Sequence, residues 1–279
     1  MFSPYYAWSG RKNPNDHVAL NVGLYGRGVK RWTMTERGEG SLSQQPDYLQ
    51  IGPSSLSWDG ENLVIEIDEW ANPIPRKVKG VITISTQALT DKVFQLDGNG
   101  RHFWHPLAPK ASVKVQFENP TLDWSGKAYI DSNWGSESLE EGFENWDWSR
   151  AHLSDGTGIL YDAFTRDGDN RQLALKIEED GSVREIEIDP RRELKKGPIW
   201  RVHRSTLCSQ SGKPKTLKML EDTPFYTRSY VSTLFENEET IAVHESLDCN
   251  RFASNWVRCL LPFRMPRITQ KSYQKARQS

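Results

Sequence analysis

The sequence predicts an all-β protein built from antiparallel sheets, as a sandwich or a barrel, with one short helix near its C-terminus. Three observations predict it. Apolar and polar residues alternate in short runs, the period-two pattern of half-buried strands. Turn signals separate many of these runs in the manner of hairpins: Asp59-Gly60, Gly98-Asn99-Gly100, Asp155-Gly156, Asp167-Gly168 and Asp180-Gly181. No long amphipathic stripe of helical spacing lies between them.

In chain order, Met1 to Trp8 is apolar and aromatic from its first residue, which is unusual for a free terminus. Strand-like runs then follow at 17–25, 63–70, 79–84 and 112–117, and a turn-rich segment at 119–126 collects Asn119, Pro120 and Gly126. Beyond it the pattern resumes at 158–164, 172–177, 183–188, 200–204 and 226–235. Asn250 to Leu261 is the helix candidate, ended by Pro262. The expected organisation is an N-terminal β-sandwich part at 1–118, a C-terminal β-barrel part at 119–265 and a basic tail at 266–279. From Arg264 onward the chain carries five basic residues and no acidic one, the composition of a solvated, disordered end or of a contact with an anionic membrane.

At 279 residues the chain is long enough for one large or two small β domains. Its 36% hydrophobic and 26% charged content is that of a folded soluble protein. A formal net charge of -1 argues against nucleic acid as a partner. Three cysteines, Cys208, Cys249 and Cys259, form no CxxC pair and predict reduced thiols in a cytoplasmic protein. No apolar run of about 20 residues is present, so no transmembrane helix is expected. Eleven tryptophans serve as large core residues or as the lining of a cavity for an extended apolar ligand.

Familiar motifs are absent. His102 and His105 lack the partners of a metal site, and there is no P-loop, no GxGxxG after a strand and no GxSxG elbow, so no metal or cofactor is expected. What remains is acid–base work among aromatic residues. Tyr129-Ile130-Asp131-Ser132-Asn133 read as a strand puts Tyr129, Asp131 and Asn133 on one face. His102 and Trp104 have the same i, i+2 relation on an earlier run, so the two stretches can bring an imidazole, an indole, a phenol and a carboxyl into one pocket. Each also has a plain reading: Asp131 as a surface aspartate, His102 as a structural histidine, and Glu137, Glu140 and Glu141 as a solvated face. Trp146, Trp148 and Arg150 alternate on the next run, where core packing or a cation–π stack accounts for them equally well. Asn133 and Gly135 are suited to a turn, with Asn133 able to bond Asp131.

Longer motifs decide between these readings. Phe2-Ser-Pro-Tyr-Tyr-Ala-Trp-Ser-Gly-Arg11, His17-Val-Ala-Leu-Asn-Val-Gly-Leu-Tyr-Gly26, Gly52-Pro-Ser54, Tyr129-Ile-Asp-Ser-Asn-Trp-Gly135 and Gly142-Phe-Glu-Asn-Trp-Asp-Trp-Ser-Arg150 resemble the carotenoid 1,2-hydratases, also called hydroxyneurosporene synthases, of phototrophic bacteria. The resemblance runs in order from residue 2 to about 265. It implies a two-part lipocalin-like β fold and cofactor-free addition of water across the terminal 1,2 double bond of an acyclic carotene of the lycopene or neurosporene type. It also implies further chain, including an apolar strand, ahead of the Phe2-Ser-Pro-Tyr segment.

The family's proposed catalytic set, a His-x-Trp pair and a Tyr-x-Asp pair, falls on His102, Trp104, Tyr129 and Asp131. Protonating an unactivated trisubstituted alkene needs a strong acid held neutral in a dry site, and yields a tertiary cation at C1 that water captures. Asp131 is the expected acid, Trp104 and Tyr129 stabilise the cation at about 0.5–2 kcal/mol per ring, and His102 is the base that accepts the proton of water. The reverse assignment, with His102 as donor, suits an alkene less well. Trp124, Asn133, Trp134 and Trp148 are the expected substrate-binding residues. The expected protein is cytoplasmic and peripheral to the membrane that holds its carotenoid. Two competing functions share the fold: a polyene cyclase or isomerase, and a non-catalytic carrier of carotenoid or another lipid.

Overall fold

A computed structural model describes residues 3–26, 28–187, 190–209 and 211–268. It is mostly β-strand, with few and short helices. By compactness the chain forms two units, each discontinuous in sequence. Among the described residues, the first holds 87–111 and 129–257; the second holds 3–86, 112–128 and 258–268.

The first unit is organised by a seven-stranded sheet in the order Val183–Glu185, Arg171–Glu178, Gly156–Thr165, Phe143–His152, Glu238–Asp248, Tyr226–Phe235, Lys215–Asp222. Its described neighbours are antiparallel. The order is a path with two ends. Of the two expected architectures the open, sandwich type is found, and the barrel expected over 119–265 is an open sheet, because its outermost strands do not pair with each other. Strict alternation sorts its residues. Ala151, Leu160, Ala174 and Ala242 face one way and join Leu153, Leu207 and Phe235 in an apolar core. Trp146, Trp148 and Arg150 face the other, opposite Ala163, Tyr161 and Ile159 on the next strand.

The second unit contains an antiparallel meander of Leu42–Gln45, Tyr48–Ile51, Ser54–Trp58, Asn62–Trp70 and Lys77–Ala88. Its buried polar centre is Glu36, which accepts hydrogen bonds from Ser3 and Arg267 and pairs with His17 Nδ1 at 2.8 Å. Arg267 and Ile268, assigned to the tail from sequence, form a parallel strand with Glu36 and Arg37. The rest of the expected tail, 269–279, lies outside the described residues.

Two long strands position the site. His102–Asn119 is a single strand of 18 residues, and Leu122–Gly135 follows it after a tight turn. The segment 119–126 supplies that turn and the start of the second strand. Along the first strand the buried residues are even-numbered as far as Ala108 and odd-numbered from Pro109 to Phe117. The pleat therefore changes face at Ala108-Pro109, where the missing proline N–H interrupts the ladder.

Several local expectations are corrected. Residues 200–204 are not a strand: Arg201 has φ 57°, and a left-handed residue cannot continue an extended run. The helix expected over 250–261 breaks into Cys249–Ala253 and Asn255–Leu260. Ser254 between them turns extended, with both its N–H and its Oγ donating to the Arg251 carbonyl. Asn133 and Gly135 continue the strand and form no turn. The run at 183–188 is a strand only to Glu185, and Ile188 lies outside the described residues.

Candidate active site

The start of the first long strand is set locally. The Asp97 carboxylate accepts the backbone N–H groups of Arg101 and His102 at 3.0 Å, closing the Gly98-Asn99-Gly100 turn. Phe94 and Gln95 then pair with Trp104 and Phe103. Alternation buries His102 and Trp104 on one face, with Trp104 wholly inaccessible to solvent.

Three of the four motif residues meet at Asp131. Its Oδ2 accepts the Trp104 indole N–H at 2.9 Å and the Tyr129 hydroxyl at 3.2 Å. The carboxyl is half-buried but enclosed by protein, and desolvation pushes its pKa up; the donations from Trp104 and Tyr129 and the nearby Arg150 charge act in the opposite sense. The Tyr129 phenol is pushed well above its ordinary range, first by burial and then by the Asp131 charge, so it stays a donor.

Aromatic rings surround this carboxyl. Trp104 lies 5.5 Å from both Phe94 and Tyr161, and Tyr129 lies 5.9 Å from Trp148. Arg150 stacks over the Tyr129 ring at 5.2 Å and its Nη1 is 2.7 Å from His152 Nε2. Tyr161 is buried, and both burial and the Asp131 charge hold its hydroxyl protonated. Arg150 and Tyr161 were not singled out as site residues from sequence. Arg150 stands at the expected spacing from Trp148, but only the sheet register brings Tyr161 opposite Trp148.

His102 occupies a neighbouring position. Its Nε2 pairs with Glu137 Oε1 at 3.2 Å, and its ring packs on Phe143 at 4.6 Å. No contact between His102 and Asp131 is present among those described. Glu137 also accepts from Arg101 Nη1 at 2.8 Å, and Glu140 is buried, so neither belongs to the solvated face expected of them. Two glycines admit the imidazole: a Cβ on Gly142 would sit 2.5 Å from His102 Nε2, and one on Gly135 would sit 2.9 Å from Nδ1. Gly142 ends a one-turn helix capped by the Ser138–Glu141 reciprocal pair.

Of the expected substrate-binding residues, Trp148 lies beside Tyr129 with its indole Nε1 buried and lacking a hydrogen-bond partner among the described residues. Trp134 is half exposed and stacks on Phe103 at 5.8 Å. Asn133 is exposed and makes no described bond to Asp131. Trp124 is exposed in the second unit. Among the described residues no group of three or more His, Cys, Asp and Glu side chains is placed to hold a metal.

An open all-β scaffold carrying a desolvated carboxyl ringed by aromatic side chains is the class that fold and site define. The family model described as carotenoid hydratase CrtC matches residues 1–274, and the chain belongs to that family. It is 48% identical over 271 residues to the acyclic carotenoid 1,2-hydratase of Thiocapsa roseopersicina, covering 96% of this chain and 67% of that protein. It is 39% identical over 268 residues to the enzyme of the same name from Cereibacter sphaeroides, covering 96% and 95%. Among solved structures, an AttH protein of Nitrosomonas europaea superposes with a TM-score of 0.53 at 13% identity, covering 80% of this chain and 78% of that one. That likeness concerns the fold.

Proposed function

We propose that this protein hydrates the terminal 1,2 double bond of an acyclic carotene of the lycopene or neurosporene type, with Asp131 as the acid. The observation that carries the proposal is the convergence of the Trp104 N–H and the Tyr129 O–H on one oxygen of a desolvated carboxyl. Desolvation favours the neutral acid, which the first step needs. With both donors on Oδ2, the proton resides on Oδ1. When it passes to the substrate, the same two donors already face the carboxylate that remains, so the charge forms against preorganised dipoles.

Protonation at C2 leaves a tertiary cation at C1. The half-buried Trp148 offers a negative quadrupole without a nucleophile that would trap it, at about 0.5–2 kcal/mol, and the buried Trp104 and Tyr161 rings add theirs from the surrounding wall. Arg150 already covers one face of Tyr129, so at most the other serves the substrate. Water adds to C1, and the oxonium proton goes to His102 and its partner Glu137. One C–O and one C–H bond replace the π bond and one O–H bond of water, and no oxidant or reductant is required. No helix among the described residues is long and apolar enough to cross a membrane. Such a carotene stays in a bilayer, so the reading includes peripheral contact with the membrane.

The test is incubation with lycopene or neurosporene in detergent followed by mass spectrometry. A gain of one water, lost in a folded Asp131→Asn variant, is expected. Bound but unconverted carotene would favour a carrier, and a product of unchanged mass would favour a cyclase or isomerase.

A further inference from the structure

The first unit carries an exposed apolar tip that the site does not use. Lys195-Lys196-Gly197-Pro198-Ile199-Trp200-Arg201 runs between buried Leu194 and buried Val202. Ile199 is 75% exposed. Trp200, half-buried, stacks on Trp256 at 6.0 Å, and Trp256 is 51% exposed. An indole pair of this size, set outward beside a bare isoleucine, gains nothing from water.

The tip is held in shape. The Arg201 N–H donates to the Gly197 carbonyl at 3.1 Å and the Gly197 N–H to the Val202 carbonyl at 3.2 Å. The Ile199 N–H donates to Asp222 Oδ2 at 2.7 Å, and Arg251 donates to the Trp200 carbonyl. These anchors fix it at the end of the seven-stranded sheet marked by Asp222 and Asp248.

Charge identifies the occupant. Lys195, Lys196 and Arg201 are exposed, flank the apolar residues on both sides and make no ion pair among the described residues. The acids close by are engaged: Glu193 with His203, Asp248 with Arg251, and Asp222 with the Ile199 N–H. Tryptophans at headgroup depth with lysines and arginines beside them are the composition that an anionic bilayer surface accepts. We infer that the 195–201 tip and Trp256 dock the protein on an anionic lipid surface, Ile199, Trp200 and Trp256 entering the headgroup layer and Lys195, Lys196 and Arg201 meeting lipid phosphates. This rests on the reading that the substrate is drawn from a membrane, and it locates the contact.

The test is co-sedimentation of the full chain with vesicles of phosphatidylcholine alone or mixed with phosphatidylglycerol, free of carotenoid. Binding to the anionic vesicles that weakens with salt is expected. Lys195→Glu/Lys196→Glu is expected to lower it by more than tenfold, since each lysine near such a surface contributes about fivefold. Trp200→Ala/Trp256→Ala is expected to lower it about tenfold or more on both lipids. Wild-type binding by either variant, or no binding by the native chain, overturns the inference. So does a Trp200→Ala/Trp256→Ala chain that sediments as a smaller species without lipid, which would make the face a self-association surface. Each variant is also assayed for hydration in detergent. Activity there with lost vesicle binding supports the docking surface, whereas a native chain that binds vesicles but never hydrates carotene defeats the hydratase reading alone.

Discussion

Trp104 and Asp131, 27 residues apart in the chain, are joined by a 2.9 Å hydrogen bond from the indole N–H to the carboxyl. The bond has two effects of opposite sign for an acid catalyst. It stabilises the carboxylate left after proton transfer, and it opposes the desolvation that keeps the acid protonated beforehand.

These effects set the pH profile. The acid is active when neutral, so on the alkaline side the rate is expected to fall as pH rises through the Asp131 pKa. That pKa is raised by burial. Trp104→Phe removes a donor to the charged form, so the alkaline limb should move to higher pH while the maximal rate drops. Asp131→Asn should lose about 10²–10⁴-fold at every pH. Rate–pH profiles of the three proteins check both statements.

Gly142→Ala should disable the site without unfolding the sheet. The added methyl would lie 2.5 Å from His102 Nε2 and 2.8 Å from Glu137 Oε1, so the imidazole and its partner must separate. Hydration is expected to fall at least tenfold with little change in the denaturant midpoint. A Gly142→Ala protein of native activity would show that the His102–Glu137 pair plays no part in turnover.

Behind the sheet, Asp147 accepts Ser205 Oγ at 2.6 Å and also Ser246 Oγ, while His244 Nε2 bonds the Ser205 carbonyl at 2.7 Å. Burial pushes Asp147 up to about 6 and His244 down to about 3. The folded state thus holds a proton on Asp147 that the unfolded chain releases between pH 3.8 and about 6, which lowers stability as pH rises through that window. His244 excludes a proton that the unfolded chain takes up between about 3 and 6.5, which lowers stability as pH falls through its window. The slopes oppose each other, so the native protein should show a shallow dependence near pH 5. Asp147→Asn should make stability rise with pH there, and His244→Gln should make it fall, each by roughly 2–3 kcal/mol across the window. Urea midpoints at several pH values measure this.

In the second unit, Glu36 is wholly buried among Ser3, His17 and Arg267. Glu36→Ala leaves Arg267 paired with Asp16 alone and strips Ser3 and His17 of their buried carboxylate partner, and should destabilise the protein by about 1–3 kcal/mol. Thermal unfolding of this variant beside Arg267→Met tests the coupling, since removing either partner should lose nearly as much as removing both.

Much of the fold was legible because strands and hairpins are local. The run at 226–235 coincides with a strand, and Asp59-Gly60, Asp167-Gly168 and Asp180-Gly181 all close hairpins, each with its glycine at positive φ. The misreadings are also local in origin. Trp200 to Arg204 has the composition of a strand, yet the Gly197 turn and Arg201 bend it out of any sheet. Glu137 and Glu140 have the composition of a solvated face, yet the close approach permitted by Gly142 draws His102 onto Glu137.

The sequence by itself determined that strands dominate, that Tyr129 and Asp131 share a face as His102 and Trp104 do, and that the chain carries the motifs of its family. All of these follow from periodicity and from short ordered patterns. The tertiary structure alone decided that Trp104 and Tyr129 meet on one oxygen of Asp131, that His102 turns to Glu137, and that Arg150 and Tyr161 close around the carboxyl. Register across a sheet and packing against it set those distances, and both depend on residues far apart in the chain, which no local pattern records.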